Sequence, residues 1–258
     1  MQYQTISYEV TDGIAVVTLN RPDTYNAMTQ QMRAEITDAV LTAGQDARVL
    51  VLTGAGKAFC SGQDLGDASD ATNMNLERTL RDEYMPMIRA IRESKIPTIC
   101  AVNGAAAGAG ANLALAADVV IATESAYFLQ AFSRIGLMPD AGGTYELPRS
   151  MGAAKAMGAA LFADKISARQ ADQWGMIWEA VADGEFEAVW KARAKHLAEG
   201  PTLAYAEIKA AIQETWGNDW TGQMEQEAKR QGKLGSTRDF QEGVVAFLDK
   251  RPATYEGR

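Results

Sequence analysis

The hydrophobic residues of the first 54 positions follow a strand, helix and strand pattern. Two apolar runs, 3–10 and 13–19, meet at an Asp-Gly pair at 12–13, which is typical of a hairpin turn. Residues 29–42 have the spacing of a helix with one apolar face. The run 48–54 ("RVLVLTG") is apolar almost throughout, as in strands buried on both faces. The start of the chain therefore predicts mixed α/β structure.

The same cycle repeats in the middle of the chain. A polar stretch at 66–75, which we predict to be mobile, precedes a long helical pattern that ends near Glu93. The pattern then predicts a strand at 98–104 ("TICAVNG"), a short helix at 108–117 and a further strand at 118–123. This alternation is typical of a parallel sheet with crossover helices.

The hydrophobic pattern is almost wholly helical from about residue 142 onward. Four of its helical segments are predicted at 185–198, 202–214, 223–231 and 239–250. No Pro- or Ser-rich linker separates the two halves, and no repeat at a fixed period is visible. The pattern predicts an α/β core that carries a helical C-terminal region.

Charge and composition narrow the classes of function. The 258 residues include 33 acids and 25 bases, a formal charge of −8, which argues against a general nucleic-acid binder. Any polyanionic ligand would need a local cluster of Lys and Arg. The two cysteines, Cys60 and Cys100, are too few for a disulfide framework and fit a reduced cytoplasmic chain.

No segment of the sequence predicts a membrane location or export. The N-terminus lacks the basic start and apolar core of a signal peptide. Residues 96–117 carry no charge, but they are rich in alanine and are broken by proline, glycine and asparagine. A spanning helix needs about 20 strongly apolar residues. We therefore expect neither a transmembrane span nor a membrane partner.

Several catalytic motifs are incomplete in this chain. The segment "GAGKAF" lacks the first glycine and the Ser or Thr of a phosphate loop, and "GAGANL" lacks the last glycine of a dinucleotide fingerprint. His196 is the only histidine and lies among lysines and arginines on a predicted helix. A histidine-based triad and a metal site are therefore not expected.

Two small-residue turns come after predicted buried strands. They are "AFCSGQD" (58–64) and "NGAAAGAG" (103–110), and ligands in open α/β sheets bind outside such strand ends. Glycine and alanine let backbone N–H groups approach a ligand, and a helix start adds unpaired donors. Two converging donors would form an oxyanion hole. Tight helix–strand packing explains the small residues equally well.

Asp140 is an isolated acid, since no other Asp or Glu lies between Glu124 and Glu146. It comes after an apolar run and precedes an Ala-Gly-Gly turn. One interpretation is that its side chain caps the helix that starts near Gly142, because Asp is a favoured N-cap residue. The other is that its carboxylate is held in an apolar pocket and transfers protons.

Five segments in order resemble the crotonase, or enoyl-CoA hydratase/isomerase, superfamily: "NRPDTYNAM", "AFCSGQDL", "AVNGAAAGAGANLALAADVVIAT", "GLMPDAGGTYELPR" and "EGVVAFLDKR". The resemblance covers essentially the whole chain. It implies an α/β crotonase-like spiral of ββα units over 1–195 and a helical C-terminal trimerisation region over 196–258. It further implies a homotrimer or dimer of trimers whose substrate is an acyl-CoA thioester. Coenzyme A belongs to the substrate, so no separate cofactor is expected.

The resemblance also assigns roles by position. The oxyanion donors would be the backbone N–H groups of Gln63 and Ala109. Further substrate-binding positions in the same two turns are Ala58, Ser61, Asp64, Leu65, Gly108 and Gly110.

Coenzyme A contacts are implied at both ends of the chain. Tyr25 and Ala27 match a turn near the CoA nucleotide. Phe247 and Lys250 match C-terminal positions that touch CoA, with the lysine near its phosphates. Lys250 would then supply locally the positive charge that the chain lacks as a whole.

The departures from the family concern the acids. Asn112 and Phe132 occupy the substrate-binding positions where hydratases of this family carry two glutamates, and neither can take a proton. Asp140 matches the acid of members with isomerase activity, including the epoxide isomerases of phenylacetate degradation. The sequence therefore predicts an acyl-CoA isomerase with Asp140 as base and with Leu137, Met138 and Phe132 raising its pKa. A hydratase with an unusual base and an inactive acyl-CoA-binding scaffold are the alternatives.

Overall fold

The computed structural model describes residues 3–67 and 75–257. The stretch predicted to be mobile, 66–75, lies mostly outside the described residues. The strands, in chain order, are β1 (Ile6–Thr11), β2 (Ile14–Leu19), β3 (Val49–Gly54), β4 (Ala58–Cys60), β5 (Thr98–Val102), β6 (Ala105–Ala107), β7 (Val119–Thr123), β8 (Tyr127–Leu129), β9 (Ile166–Ser167) and β10 (Glu179–Val181).

The helices alternate with these strands in the first half and dominate the second. They are α1 (Gln30–Asp46), α2 (Leu76–Thr79), α3 (Met85–Arg92), α4 (Ala109–Leu115), α5 (Gly143–Phe162), α6 (Ala168–Gln173), α7 (Phe186–Glu199), α8 (Thr202–Glu214), α9 (Trp220–Leu234) and α10 (Arg238–Asp249). A π-helical turn, Leu80–Tyr84, joins α2 to α3, so the long helical pattern that ends near Glu93 is confirmed.

A six-stranded sheet in the order β1-β2-β3-β5-β7-β10 forms the centre of the fold. The hairpin of β1 and β2 is antiparallel, as predicted, and the remaining pairs are parallel. Strand β3 is buried on both faces. Leu50 and Leu52 join the main core, whereas Val49 and Val51 pack in a second cluster with Ala194 of α7.

A smaller sheet in the order β4-β6-β8-β9 lies beside the first. Its strands β4, β6 and β8 each come directly after a strand of the large sheet, namely β3, β5 and β7. Each such pair leads into helical structure, so the chain repeats a ββα unit and turns as a spiral. This arrangement confirms the predicted fold class.

The C-terminal helices attach to the core through partly buried polar contacts. Arg48 donates hydrogen bonds to Thr202 Oγ1 (3.0 Å) and to the carbonyl of Gly200. The Lys209 ammonium lies 3.0 Å from a carboxylate oxygen of Asp118. The predicted boundary at residues 195 and 196 falls inside α7, which packs on the sheet.

Within the described residues, no helix has the length and apolar character needed to cross a membrane. Large apolar side chains nevertheless remain exposed on α8, α9 and α10, including Ile212, Trp220, Phe247 and Leu248. Trimer formation remains a prediction.

Candidate active site

The two small-residue turns lie against each other. Gly62, in the turn after β4, has φ +101°, and a Cβ there would lie 2.9 Å from the Ala107 carbonyl oxygen and 3.5 Å from the Ala109 nitrogen. A Cβ at Gly110 would approach the Cys60 carbonyl oxygen closer than 3.0 Å. Glycine is therefore required where the first turn of α4 meets β4.

This packing brings together the two predicted oxyanion donors. The Met28 N–H bonds to the Gly62 carbonyl (2.8 Å), and the Asp64 N–H bonds to the Met28 carbonyl (3.1 Å), which fixes Gln63 between them. Ala109 is the first residue of α4, so its N–H has no intrahelical acceptor. Neither the Gln63 nor the Ala109 N–H donates a hydrogen bond within the described part of the chain.

Asn26 is a structural residue that the sequence pattern did not reveal. Its buried side-chain amide donates to the carbonyls of Ala58 (2.9 Å) and Phe59 (3.1 Å). The Tyr25 carbonyl accepts from the Ser61 N–H (3.0 Å), and the Tyr25 side chain is exposed. The predicted CoA turn is thus fixed to β4, beside the turn that carries the predicted oxyanion donor Gln63. No local signal in the sequence marks this role, because the acceptors lie 32 and 33 residues away along the chain.

Asp64 is an ion-pair partner in this structure. Its carboxylate accepts a 2.6 Å bond from Arg21, whose guanidinium also donates to the Ala27 carbonyl (2.5 Å). The bond from Arg21 holds the pKa of Asp64 below its ordinary value. Of the other predicted positions in this turn, Ala58 is buried, whereas Ser61 and Leu65 are exposed.

Asp140 has a buried carboxylate oxygen without a hydrogen-bond partner. Its backbone carbonyl accepts from the Gly143 N–H (2.8 Å), but the N-cap of α5 is Gly142 and no side chain caps this helix. The capping interpretation is therefore wrong. No partner contacts Oδ1 within the described residues, and desolvation by burial raises the pKa of Asp140 to about 6. Such a carboxylate can accept and return a proton near neutral pH.

Of the two residues at the glutamate positions, Asn112 lies against the Asp140 backbone and Phe132 lies near Gly108. Asn112 on α4 donates from Nδ2 to the Asp140 carbonyl (2.8 Å). Phe132 is buried, and its Cζ would lie 3.9 Å from a Cβ built on Gly108. Among these residues the site therefore offers one unpaired carboxylate, that of Asp140.

The apolar surroundings of Asp140 differ from the prediction. Leu137 and Met138 are exposed, Met138 by 66%, because they lie on an open turn after the Ala131–Ile135 helical segment. Phe132 is buried as expected. Tyr84, buried in the core, is the titratable neighbour that interacts with Asp140 electrostatically. Of the three residues predicted to raise the pKa of Asp140, only Phe132 is buried; the effect of Leu137 and Met138 on that pKa remains a prediction.

Phe247 and Lys250 both belong to the C-terminal end of the helical region, at α10. Phe247 on α10 is 82% exposed. It lines a groove of about 430 Å³ whose other lining residues all lie between 201 and 255. Lys250 ends α10 in a left-handed conformation (φ 54°). Contact of these residues with CoA remains a prediction.

Comparison with known proteins agrees with this geometry. The family model for enoyl-CoA hydratase/isomerase matches residues 9–258. A Rhodobacter capsulatus protein named "Probable enoyl-CoA hydratase" is 57% identical over 258 residues and all of both chains. The Escherichia coli K12 "1,2-epoxyphenylacetyl-CoA isomerase" is 43% identical over 96% of this chain and 97% of its own. The crystal structure of a "putative enoyl-CoA hydratase" from Streptomyces coelicolor A3(2) superposes with a TM-score of 0.94 at 37% identity, covering 100% of this chain and 96% of that chain. The chain belongs to the enoyl-CoA hydratase/isomerase family.

Proposed function

We propose that the chain is an acyl-CoA isomerase in which Asp140 is the single proton-transfer base. The observation that carries the proposal is the buried, unpartnered Oδ1 of Asp140, whose pKa is raised to about 6. Asn112 and Phe132, the neighbours at the family's glutamate positions, cannot exchange protons. One base that takes and returns one proton is sufficient for isomerisation.

The oxyanion donors would prepare the substrate for this step. The thioester carbonyl oxygen accepts hydrogen bonds from the N–H groups of Gln63 and Ala109. These donors stabilise the negative charge that develops on the oxygen as an enolate forms, by about 2.7 to 4 kcal/mol for each donor. The hydrogens on C2 thereby become acidic enough for a carboxylate to remove.

Asp140 would then move one proton within the substrate. Its carboxylate takes a proton from C2 of a 3-enoyl thioester, and the C–H electron pair passes into the enolate. The resulting dienolate accepts the same proton at C4, which leaves a double bond between C2 and C3. The carboxylate is regenerated, and neither water nor a further cofactor is consumed.

A ring epoxide is the second substrate class within this proposal. The 43% identical Escherichia coli relative is named 1,2-epoxyphenylacetyl-CoA isomerase, which supports a ring-1,2-epoxyphenylacetyl-CoA substrate and a role in phenylacetate catabolism. The same oxyanion donors would hold its thioester, and Asp140 would again be the available carboxylate.

Hydration is the second candidate function, because the 57% identical relative carries a hydratase name. Water addition requires a base that deprotonates water and a proton delivered to C2. Asp140 would have to do both in turn. A third possibility is an inactive scaffold that binds acyl-CoA, in which Asp140 would be dispensable.

Coenzyme A recognition completes the proposal. In a homotrimer or a dimer of trimers, α10 of one subunit would bring Phe247 and Lys250 to the CoA of a site. The exposed apolar side chains on α8, α9 and α10 support an assembled state. The chemistry and the two buried free cysteines fit a cytoplasmic enzyme.

The deciding experiment compares the reaction rates of three CoA esters and identifies the product of each reaction. The purified protein is assayed with crotonyl-CoA, a 3-enoyl-CoA and ring-1,2-epoxyphenylacetyl-CoA. We expect crotonyl-CoA hydration to be at least about 100-fold slower than 3-enoyl isomerisation, the smallest usual contribution of a positioned acid–base group. Asp140→Asn should abolish isomerisation while leaving CoA-ester binding intact. Hydration as fast as isomerisation in the wild type would establish the hydratase instead.

A further inference from the structure

Two buried side-chain amides connect α4, the end of β8 and the Asp140 turn. Asn112 is 2% exposed and Gln130 is 1% exposed. A backbone carbonyl can only accept, so Asn112 must turn its nitrogen toward the Asp140 carbonyl, at 2.8 Å. Its oxygen must then accept, and it does so from Gln130 Nε2 at 2.9 Å. The chemistry of the Asp140 carbonyl thus sets the orientation of both amides.

The backbone of Asp140 is held from two directions. Besides the Asn112 amide, the Gly143 N–H donates to the same carbonyl at 2.8 Å. A Cβ at Gly143 would come closer than 3.0 Å to the Asn112 amide, so only glycine permits this packing. The carboxylate Oδ1, in contrast, has no partner in the described part of the chain. A fixed backbone therefore carries a carboxylate whose Oδ1 has no hydrogen-bond partner among the described residues.

We propose that Asn112 and Gln130 are positioning residues that hold the Asp140 backbone so that its carboxylate reaches two carbons of the substrate in turn. The inference rests on the proposed function, in which one base serves both carbons. Beyond the proposed function, the inference requires an uncharged amide at position 112 that donates to the Asp140 carbonyl. Tethering Asp140 through its backbone leaves the carboxylate oxygens available for the proton.

The electrostatic surroundings make a charge at position 112 costly. Tyr84 interacts with Asp140, and burial raises the pKa of this phenol, so it remains neutral. Behind it, Arg33 lies 3.4 Å from the Tyr84 hydroxyl and is paired with Glu83 at 2.5 Å. No cation forms a hydrogen bond or ion pair with Asp140 among the described residues. A carboxylate at position 112 would oppose ionisation of Asp140 directly.

The test uses one charged and one neutral variant of the amide pair. Asn112→Asp keeps the shape, removes the donor and adds a charge. We expect kcat for 3-enoyl isomerisation to fall by about tenfold or more, with KM changed less than about twofold, since misplacing a catalytic group affects the reaction step. The acid limb of the pH profile, meaning the fall of kcat/KM at low pH, should shift to a pH about one unit higher.

Gln130→Met removes the donor to Asn112 without adding a charge. It should lower kcat by about three- to tenfold and leave the acid limb in place, because only the geometry is loosened. Asn218→Asp, on an exposed turn, is the matched control for added charge and should behave as wild type. Since Asn112→Asp risks misfolding, the kcat of Gln130→Met decides in that case.

Two results would overturn the inference. One is an unchanged kcat in Gln130→Met; the other is Asn112→Asp with a lower melting temperature but an unchanged kcat and acid limb. Asp140→Asn separates this failure from that of the proposed function. If Asp140→Asn isomerises at the wild-type rate, the base assignment is wrong. If it is inactive while the amide variants are normal, the positioning role alone is wrong.

Discussion

At the scale of single residues, Asp140 and Asp64 show how different surroundings shift the pKa values of two aspartates in opposite directions. Asp64 accepts a 2.6 Å bond from Arg21, and this bond lowers its pKa. Asp140 is desolvated without a cationic partner, and its pKa rises to about 6. A paired carboxylate stays charged and structural, whereas an unpaired buried one exchanges protons near neutral pH.

Asp140→Asn should stabilise the protein while abolishing activity. The folded-state pKa of Asp140 is about 6 against an ordinary 3.8, so between these values the folded state binds more protons than the unfolded state. Wild-type stability therefore falls as the pH rises through this window and remains lower above it. We expect the variant to gain about 1 to 3 kcal/mol at pH 8 in urea unfolding, and less near pH 4.5.

Asp64→Asn is the matched control for that measurement. Its folded-state pKa is lowered by Arg21, so its stabilising effect is present above the unfolded pKa and is lost as the pH falls. The control should be less stable than wild type at pH 8, the opposite sign to Asp140→Asn. Equal effects of the two variants would show that the Asp140 carboxylate is not desolvated.

The activity itself should depend on the ionisation of Asp140. The base must be unprotonated to remove the C2 proton, so kcat/KM for 3-enoyl isomerisation should fall below about pH 6. Initial rates measured from pH 4.5 to 8.5 give the pH at which activity falls on the acid side. A fall only near the ordinary pKa of an aspartate, or no fall at all, would contradict a desolvated base.

At the scale of elements, the sequence predicted the features that depend on local pattern along the chain. The apolar run of β3 and the glycine-rich start of α4 identify buried strands and close backbone approaches, since side-chain period and glycine content are local properties. The roles of Asn26 and Gln130 were not predictable, because their partners lie elsewhere in the chain. The exposure of Met138 was missed because apolarity alone does not determine which side of a turn faces the core.

Gly110→Ala should disrupt the proposed oxyanion site. The added methyl would lie closer than 3.0 Å to the Cys60 carbonyl oxygen, so α4 must move away from β4 and carry the Ala109 N–H with it. We expect kcat to fall by about 100-fold, as for loss of one oxyanion donor, together with a lower melting temperature. The readouts are 3-enoyl isomerisation and thermal unfolding.

Gly158→Ala in α5 is the control for this substitution. Its Cβ would meet only Phe162, at an ordinary 3.9 Å. Alanine in a helix interior should then stabilise by about 0.5 to 1 kcal/mol without altering the rate. Similar kinetic effects of the two substitutions would mean that the packing of α4 on β4 does not position the donor.

At the scale of the whole molecule, net charge and exposed apolar side chains bear on the proposed CoA contacts and on the proposed assembly. A chain of formal charge −8 must attract the phosphates of CoA through a few local cations. Lys250, at the C-terminal end of α10, is the proposed cation, and Phe247 on the same helix is 82% exposed. No ion pair occupies Lys250 within the described residues. The groove that Phe247 lines includes no residue of the two turns, so the proposal places the contact with CoA at a neighbouring subunit.

Lys250→Ala should weaken CoA-ester binding without altering the reaction step. Alanine keeps the Cβ and hence the same backbone cost at φ 54°, so the change is confined to the charged arm. We expect KM to rise several-fold at low ionic strength and less at high salt, because salt screens an exposed charge, and kcat to stay the same. Lys195→Ala on α7 removes an equal charge from a solvated helix surface and should leave KM unchanged.

Equal KM values for Lys250→Ala and wild type at low ionic strength would exclude a contact of Lys250 with the CoA phosphates. A rise equal to that of Lys195→Ala would instead mean that overall charge, and not a placed lysine, attracts the nucleotide.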